Sequence, residues 1–119
     1  MWFCPHGFKT KRRKEEIEDD NGKLVPNAEP SHFFYADCDG VDPRLAKLKP
    51  TMVIESSPGR YVGLWYVGEP VPKLMNQAWT QLHKYDPGGW DPTQVLRPMG
   101  SRNHKYSNKP LGKRIPAWL

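Results

Sequence analysis

The 119-residue sequence has only two cysteines, Cys4 and Cys38, too few for a disulfide framework. Cys4-Pro5-His6 finds no second Cys/His pair elsewhere, which argues against a structural zinc site. Apolar residues are scarce at 37%, and no run approaches the roughly 18 apolar residues of a membrane span. No signal-peptide-like apolar stretch is present, so a reducing cytoplasm is the expected compartment and no membrane partner is expected. Acidic residues are missing after Asp91, whereas Arg97, Arg102, Lys105, Lys109, Lys113 and Arg114 follow it.

What is plentiful is proline (13), glycine (10) and positive charge, with a formal net charge of +5. This length suits one small domain, and the Pro/Gly content predicts a compact centre with irregular margins. A second basic cluster, Lys9, Lys11, Arg12, Arg13 and Lys14, lies near the start. One-sided basic segments suit a polyanion such as nucleic acid or nucleotide phosphate, although a solvated basic surface has the same composition. Arg12, Arg13, Arg102, Lys109, Lys113 and Arg114 are the candidate nucleic-acid contacts.

The expected organisation is a single domain over 1–119, with a flexible charged loop over 9–30, a core over 31–105 and a basic tail over 106–119. Trp2 to Phe8 reads as a short edge strand. His32 to Cys38, Thr51 to Glu55 and Tyr61 to Val67 are rich in aromatic and β-branched residues and read as strands. Leu74, Met75, Ala78, Trp79, Leu82 and Tyr85 recur at helical spacing behind Pro72, with Met75 and Trp79 expected in the core. Asp86-Pro87-Gly88-Gly89 should stop that helix. The predicted class is α+β, a small, mostly antiparallel sheet with the helix packed on one face.

Three segments carry candidate chemistry. His32-Phe33-Phe34-Tyr35-Ala36-Asp37-Cys38-Asp39-Gly40 ends a strand in two acids. Strand alternation puts Phe33, Tyr35, Asp37 and Asp39 on one side, with the two acids roughly 7 Å apart at Cα. Carboxylates that close repel unless a cation intervenes, and Mg²⁺ or Mn²⁺ favours such oxygen ligands; an Asp-Gly strand end is also an ordinary turn signal. Glu55-Ser56-Ser57-Pro58-Gly59-Arg60-Tyr61 is a Ser/Gly turn whose N–H groups, hydroxyls and Arg60 can meet an anion, or simply a β-turn. Trp90 to Lys105 places Asp91 before a patch of Arg, Asn, His and Lys.

In order and wording, these three motifs resemble the archaeo-eukaryotic primase superfamily, in particular the RepB-like and PrimPol-like primase domains of phages and plasmids. The resemblance covers about Phe33 to Lys105. It implies a catalytic sheet akin to the RNA-recognition-motif fold, with Asp37, Asp39 and Asp91 as catalytic ligands of Mg²⁺ or Mn²⁺. Ser56, Ser57, Gly59 and Arg60, with Arg97, Asn103 and Lys105, correspond to the residues that contact the incoming nucleotide. The implied activity is primer synthesis or extension in phage or plasmid replication inside a prokaryotic host cell. The implied partners are nucleoside triphosphates, a single-stranded or primed DNA template, and a helicase or other replication protein. A catalytically weak or inactive nucleic-acid-binding module on the same fold is the alternative. One departure stands out: many members carry a His shortly after the second motif's glycine, and Val62 stands there. Valine offers neither charge nor hydrogen bond, so a phosphate contact worth about 1.5–3 kcal/mol is missing.

Overall fold

A computed structural model describes residues 3–96, 99–102, 104–105 and 108–119. Their strands and single α-helix make a small α+β fold with antiparallel sheets. Among the described residues, no helix is long and apolar enough to cross a membrane.

The segment over 9–30 is not uniformly irregular. It contains a hairpin of β1 (Glu16–Glu18) and β2 (Leu24–Pro26), turned through Asn21 and Gly22, the latter with φ +76°. The Asp19 carboxylate accepts from the N–H groups of Asn21 and Lys23 and closes the turn.

The main sheet contains β3 (Ser31–Asp39), β4 (Met52–Ser57), β5 (Arg60–Val71) and β6 (Lys113–Ile115), in the order β3-β5-β4-β6. Every pairing is antiparallel. β4 and β5 are joined by Pro58-Gly59, a two-residue turn in which Gly59 takes φ +73°. Pro58 presets its own φ and glycine accepts the positive one without a Cβ penalty, which makes this turn readable from two letters. β6 falls within the expected basic tail: Val53, Ile54 and Glu55 pair with Ile115, Arg114 and Lys113. The first residues form single bridges rather than a strand, Phe3 with Leu96 and Phe8 with Ala28.

Alternation along β3 divides the core in two. Tyr35 joins Ile54, Val62, Leu64 and Leu96 on one face, while Ala36 and Cys38 join Ala46, Trp65 and Tyr85 on the other. The Trp65 ring lies over Gly63, where an added Cβ would come within 2.6 Å of it, so glycine is required.

α1 (Lys73–His83) meets the second cluster through Trp79, which stacks on Phe34 at 4.6 Å and meets Trp65 edge-on at 5.2 Å. The helix ends at Lys84, in the left-handed region at φ 58°, two residues ahead of the Asp-Pro-Gly-Gly stop. Its inward stripe is Asn76, Trp79, Thr80 and His83, not the apolar positions that the spacing highlighted. Leu74, Met75 and Leu82 are 65%, 53% and 75% exposed, so Met75 lies outside the core. The reason is Asn76. β3 is an edge strand, and the buried Asn76 accepts the outward Tyr35 N–H at 3.0 Å while donating to Trp90 O at 3.2 Å. Covering an otherwise unpaired strand edge turns the helix by its polar residue rather than by its leucines.

Candidate functional site

β3 and β5 run side by side, and their pairing brings the first two motifs together. Asp37 sits opposite Val62 and Asp39 opposite Tyr61, with a register shift between them. Asp39 takes φ 52°, so the simple two-residue alternation expected for the two acids is interrupted there. Asp39 forms an ion pair with Arg60, just beyond the Pro58-Gly59 turn. The Asp39 N–H also points to Asp37 Oδ1 at 3.3 Å.

The loop after α1 closes over Asp37. Asp86 N–H donates to Asp37 O at 2.9 Å, and Gly89 approaches so tightly that a Cβ there would stand 3.0 Å from the Asp37 Cβ. Burial pushes the Asp37 carboxyl above its ordinary value. The Asp86 and Asp39 charges push the same way, while the Asp39 N–H and Arg60 oppose them.

The second motif supplies a turn with an unmet hydroxyl. Ser57 is 3% exposed, and its Oγ has no hydrogen-bond partner among the described residues. Ser57, Pro58 and Arg60 line an open cleft of about 300 Å³ with Asn108 and Pro110. Ser56 Oγ reaches Arg60 O at 3.4 Å.

Asp91 is engaged differently. Its Oδ1 accepts from the Thr93 N–H at 2.8 Å and the Thr93 hydroxyl at 2.6 Å, an N-terminal turn of its own loop. The Tyr35 hydroxyl approaches the Trp90 and Asp91 carbonyls, both at 3.0 Å, and His6 Nε2 at 2.9 Å. Among the described residues, no group of three or more His, Cys, Asp or Glu side chains could hold a metal ion. Asp37 and Asp39 offer the hard oxygen donors that Mg²⁺ or Mn²⁺ takes, but the three-acid set with Asp91 is not assembled.

The basic candidates are spread around this centre. Arg13 donates to Thr93 O and so ties the N-terminal basic cluster to the Asp91 loop; Arg12 is exposed. Arg102 bridges to Leu111 and donates to Lys109 O, and Lys105 is exposed. Lys113 lies 3.6 Å from Glu55, and Arg114 is exposed beside it on β6. Arg97 and Asn103 lie outside the described residues.

Val62 is 3% exposed and packs with Tyr35, Ile54, Leu64 and Leu96. It is a core residue that also stands directly across from Asp37. Asn76 was not legible as a site support, because a lone Asn inside a helical pattern carries no sign of a strand edge needing a partner. No protein-family model, curated protein or solved structure matches the chain.

Proposed function

We propose that the chain is a nucleotidyltransferase domain of the primase and polymerase type, acting on nucleoside triphosphates and a DNA template in phage or plasmid replication. One observation supports this above the rest. The end of β3 that carries Asp37 and Asp39 abuts the Ser57–Arg60 turn, whose buried hydroxyl lacks a partner beside an open cleft. A phosphate held by Arg60 and the Ser57 hydroxyl would satisfy that group with charge-assisted hydrogen bonds. It would also draw Arg60 away from Asp39, freeing that carboxylate as the nucleotide arrives. A bound divalent cation supplies charge neutralisation at the phosphates, and Asp37 and Asp39 are the residues that would hold it. Gly89 and Asp86 keep water from one side of Asp37.

A second reading, a nucleic-acid-binding module without catalysis, is favoured by one specific finding: Asp39 is already paired with Arg60 and, among the described residues, no third acid completes a metal-holding group with Asp37 and Asp39. Extension of a labelled primer on a template, with Mg²⁺ or Mn²⁺, separates the two. Extension by the native chain that is lost in Asp37→Ala, with DNA binding retained, is the expected result. Binding without extension in either protein would leave the binding module. In both cases affinity for single-stranded DNA should fall steeply between about 50 and 200 mM salt, because each phosphate contact releases a counterion.

A further inference from the structure

A second cleft lies away from the sheet-end acids, between the N-terminal basic segment and the β1–β2 hairpin. Its volume is about 710 Å³, within the range of small-ligand sites. Lys11, Arg12 and Lys14 line it together with Glu16, Glu18 and the exposed Leu24. Glu16 and Glu18, two apart on β1, project to the same side. Among the described residues, none of these three cations forms an ion pair with either glutamate, although all five line one cavity. Opposite charges that share a cavity without meeting leave room for a ligand carrying an anion at one end and hydrogen-bond donors at the other.

The basic segment is held by a built support. Asn27 is fully buried, and its amide donates to Arg12 O at 3.0 Å and Lys14 O at 2.8 Å. Its backbone N–H donates to Glu15 O, while its carbonyl accepts from Lys9 N–H at 2.9 Å. One buried side chain therefore fixes the backbone from which two of the three cations project.

We propose that this cleft is a nucleotide-binding site, independent of the sheet-end site, with phosphate on Lys11, Arg12 and Lys14 and the base edge on Glu16 and Glu18. Ionised carboxylates only accept hydrogen bonds, so they select bases presenting N–H donors side by side. Guanine, with adjacent N1–H and N2–H groups, fits best. Uracil and thymine, whose single N–H is flanked by two carbonyls, fit worst. Leu24 offers apolar surface to the base. A free nucleotide and one unit of a single strand share this chemistry.

The test is titration of the full chain carrying Asp37→Ala, without divalent cation, so that failure of the sheet-end reading leaves the result intact. The probes are guanosine and uridine 5′-monophosphates, and short oligothymidylate with and without one internal guanine. Guanine probes should bind about tenfold more tightly than their uracil or thymine counterparts, the worth of one good bidentate contact. E16Q/E18Q should erase that preference, and K11Q/R12Q should weaken every probe about tenfold or more. A preference seen with monophosphates identifies a free-nucleotide site, and one seen only with the strand identifies a template site. Absence of guanine preference in both, or tighter binding of all probes in E16Q/E18Q, would overturn the proposal. Unchanged melting temperatures of the variants verify that folding is not the cause.

Discussion

The two faces of β3 are built to different rules. On one, Phe34, Ala36 and Cys38 enter an almost wholly apolar cluster sealed by Trp65, Trp79 and Tyr85, whose rings stack or meet edge-on. On the other, Phe33 and Tyr35 begin as core, but the strand continues into Asp37, and an irregular loop covers it in place of the helix. That loop presents the Trp90 and Asp91 carbonyls to Tyr35, the Asp86 N–H to Asp37 O, and Gly89 against the Asp37 side chain. The contrast shows how one strand divides its work. The ring-lined face fixes the strand by dispersion and burial, and the loop-covered face can then hold a carboxylate in surroundings that disfavour its charge.

Deleting the ring-lined face should give the largest effect. Trp65 is 1% exposed, and its indole N–H donates to Leu48 O at 2.9 Å. Trp65→Ala should cost about 3–5 kcal/mol of stability by chemical denaturation, as a large cavity and an orphaned carbonyl appear together. A loss below about 1 kcal/mol would mean that this face does not anchor the sheet.

The next effect crosses between the faces. Asn76→Ala leaves the Tyr35 N–H without its partner and the Trp90 carbonyl with the Tyr35 hydroxyl alone, and should cost about 1–3 kcal/mol. Because Asn76 joins the β3 edge to the loop, amide exchange should accelerate around Asp86 to Asp91 more than within β4 and β5. Uniform acceleration would show that the loop is held by something other than this side chain.

This division was only partly legible in the sequence. β3, β4 and β5 announced themselves through alternation and through Pro58-Gly59, because apolar residues on a half-buried strand and a positive φ at a turn each demand particular residue types. The place of α1 was legible too, but its orientation was not. Leu74, Met75 and Leu82 match a helical apolar pattern, yet a strand edge needing an acceptor turned Asn76 inward instead. β1, β2 and β6 span three residues each, too few for an alternating pattern to show, so their pairing is carried by backbone hydrogen bonds that no side-chain pattern reports. Of the candidate site, the meeting of Asp39 with Arg60 follows from antiparallel pairing once the hairpin is known. The Thr93 contacts of Asp91 depend on loop geometry that residue types alone do not determine.

Val62 sharpens the comparison, since it belongs to the core by burial and to the site by its position across from Asp37. Val62→His should lower stability by about 1–3 kcal/mol, because an imidazole replaces a methyl-bearing side chain among Tyr35, Ile54, Leu64 and Leu96. Melting temperature and nucleotide affinity should be measured together. Destabilisation without tighter nucleotide binding is the expected result. A gain of about one decade or more in affinity would show that this position faces the phosphates despite its burial.

The smallest effect concerns the charge on Asp37 itself. Burial is the leading cause that lifts its carboxyl above the ordinary value of 3.8, so folding favours the protonated form. The sign follows from linkage: this group's stabilising contribution is complete below the unfolded-state value and is lost as pH rises through the higher folded-state value. Near neutral pH the ionised carboxylate therefore weakens the fold. Asp37→Asn, which keeps the shape and removes the charge, should melt at a higher temperature than the native chain near neutral pH. The gap should close as pH falls into the ordinary carboxylate range. Asp42 supplies the opposite sign in the same molecule. Its hydrogen bonds from the Arg44 side chain lower its value, so its contribution is present above the unfolded-state value and fades as pH falls through the lower folded-state one. Asp42→Asn should accordingly lower the melting temperature near neutral pH. If Asp37→Asn proves no more stable than the native chain there, the loop-covered face is wetter than its packing implies. If Mg²⁺ or Mn²⁺ raises the melting temperature of the native chain but not of Asp37→Asn, a cation is relieving the buried charge at that carboxylate, which links the strained side of β3 directly to the proposed chemistry.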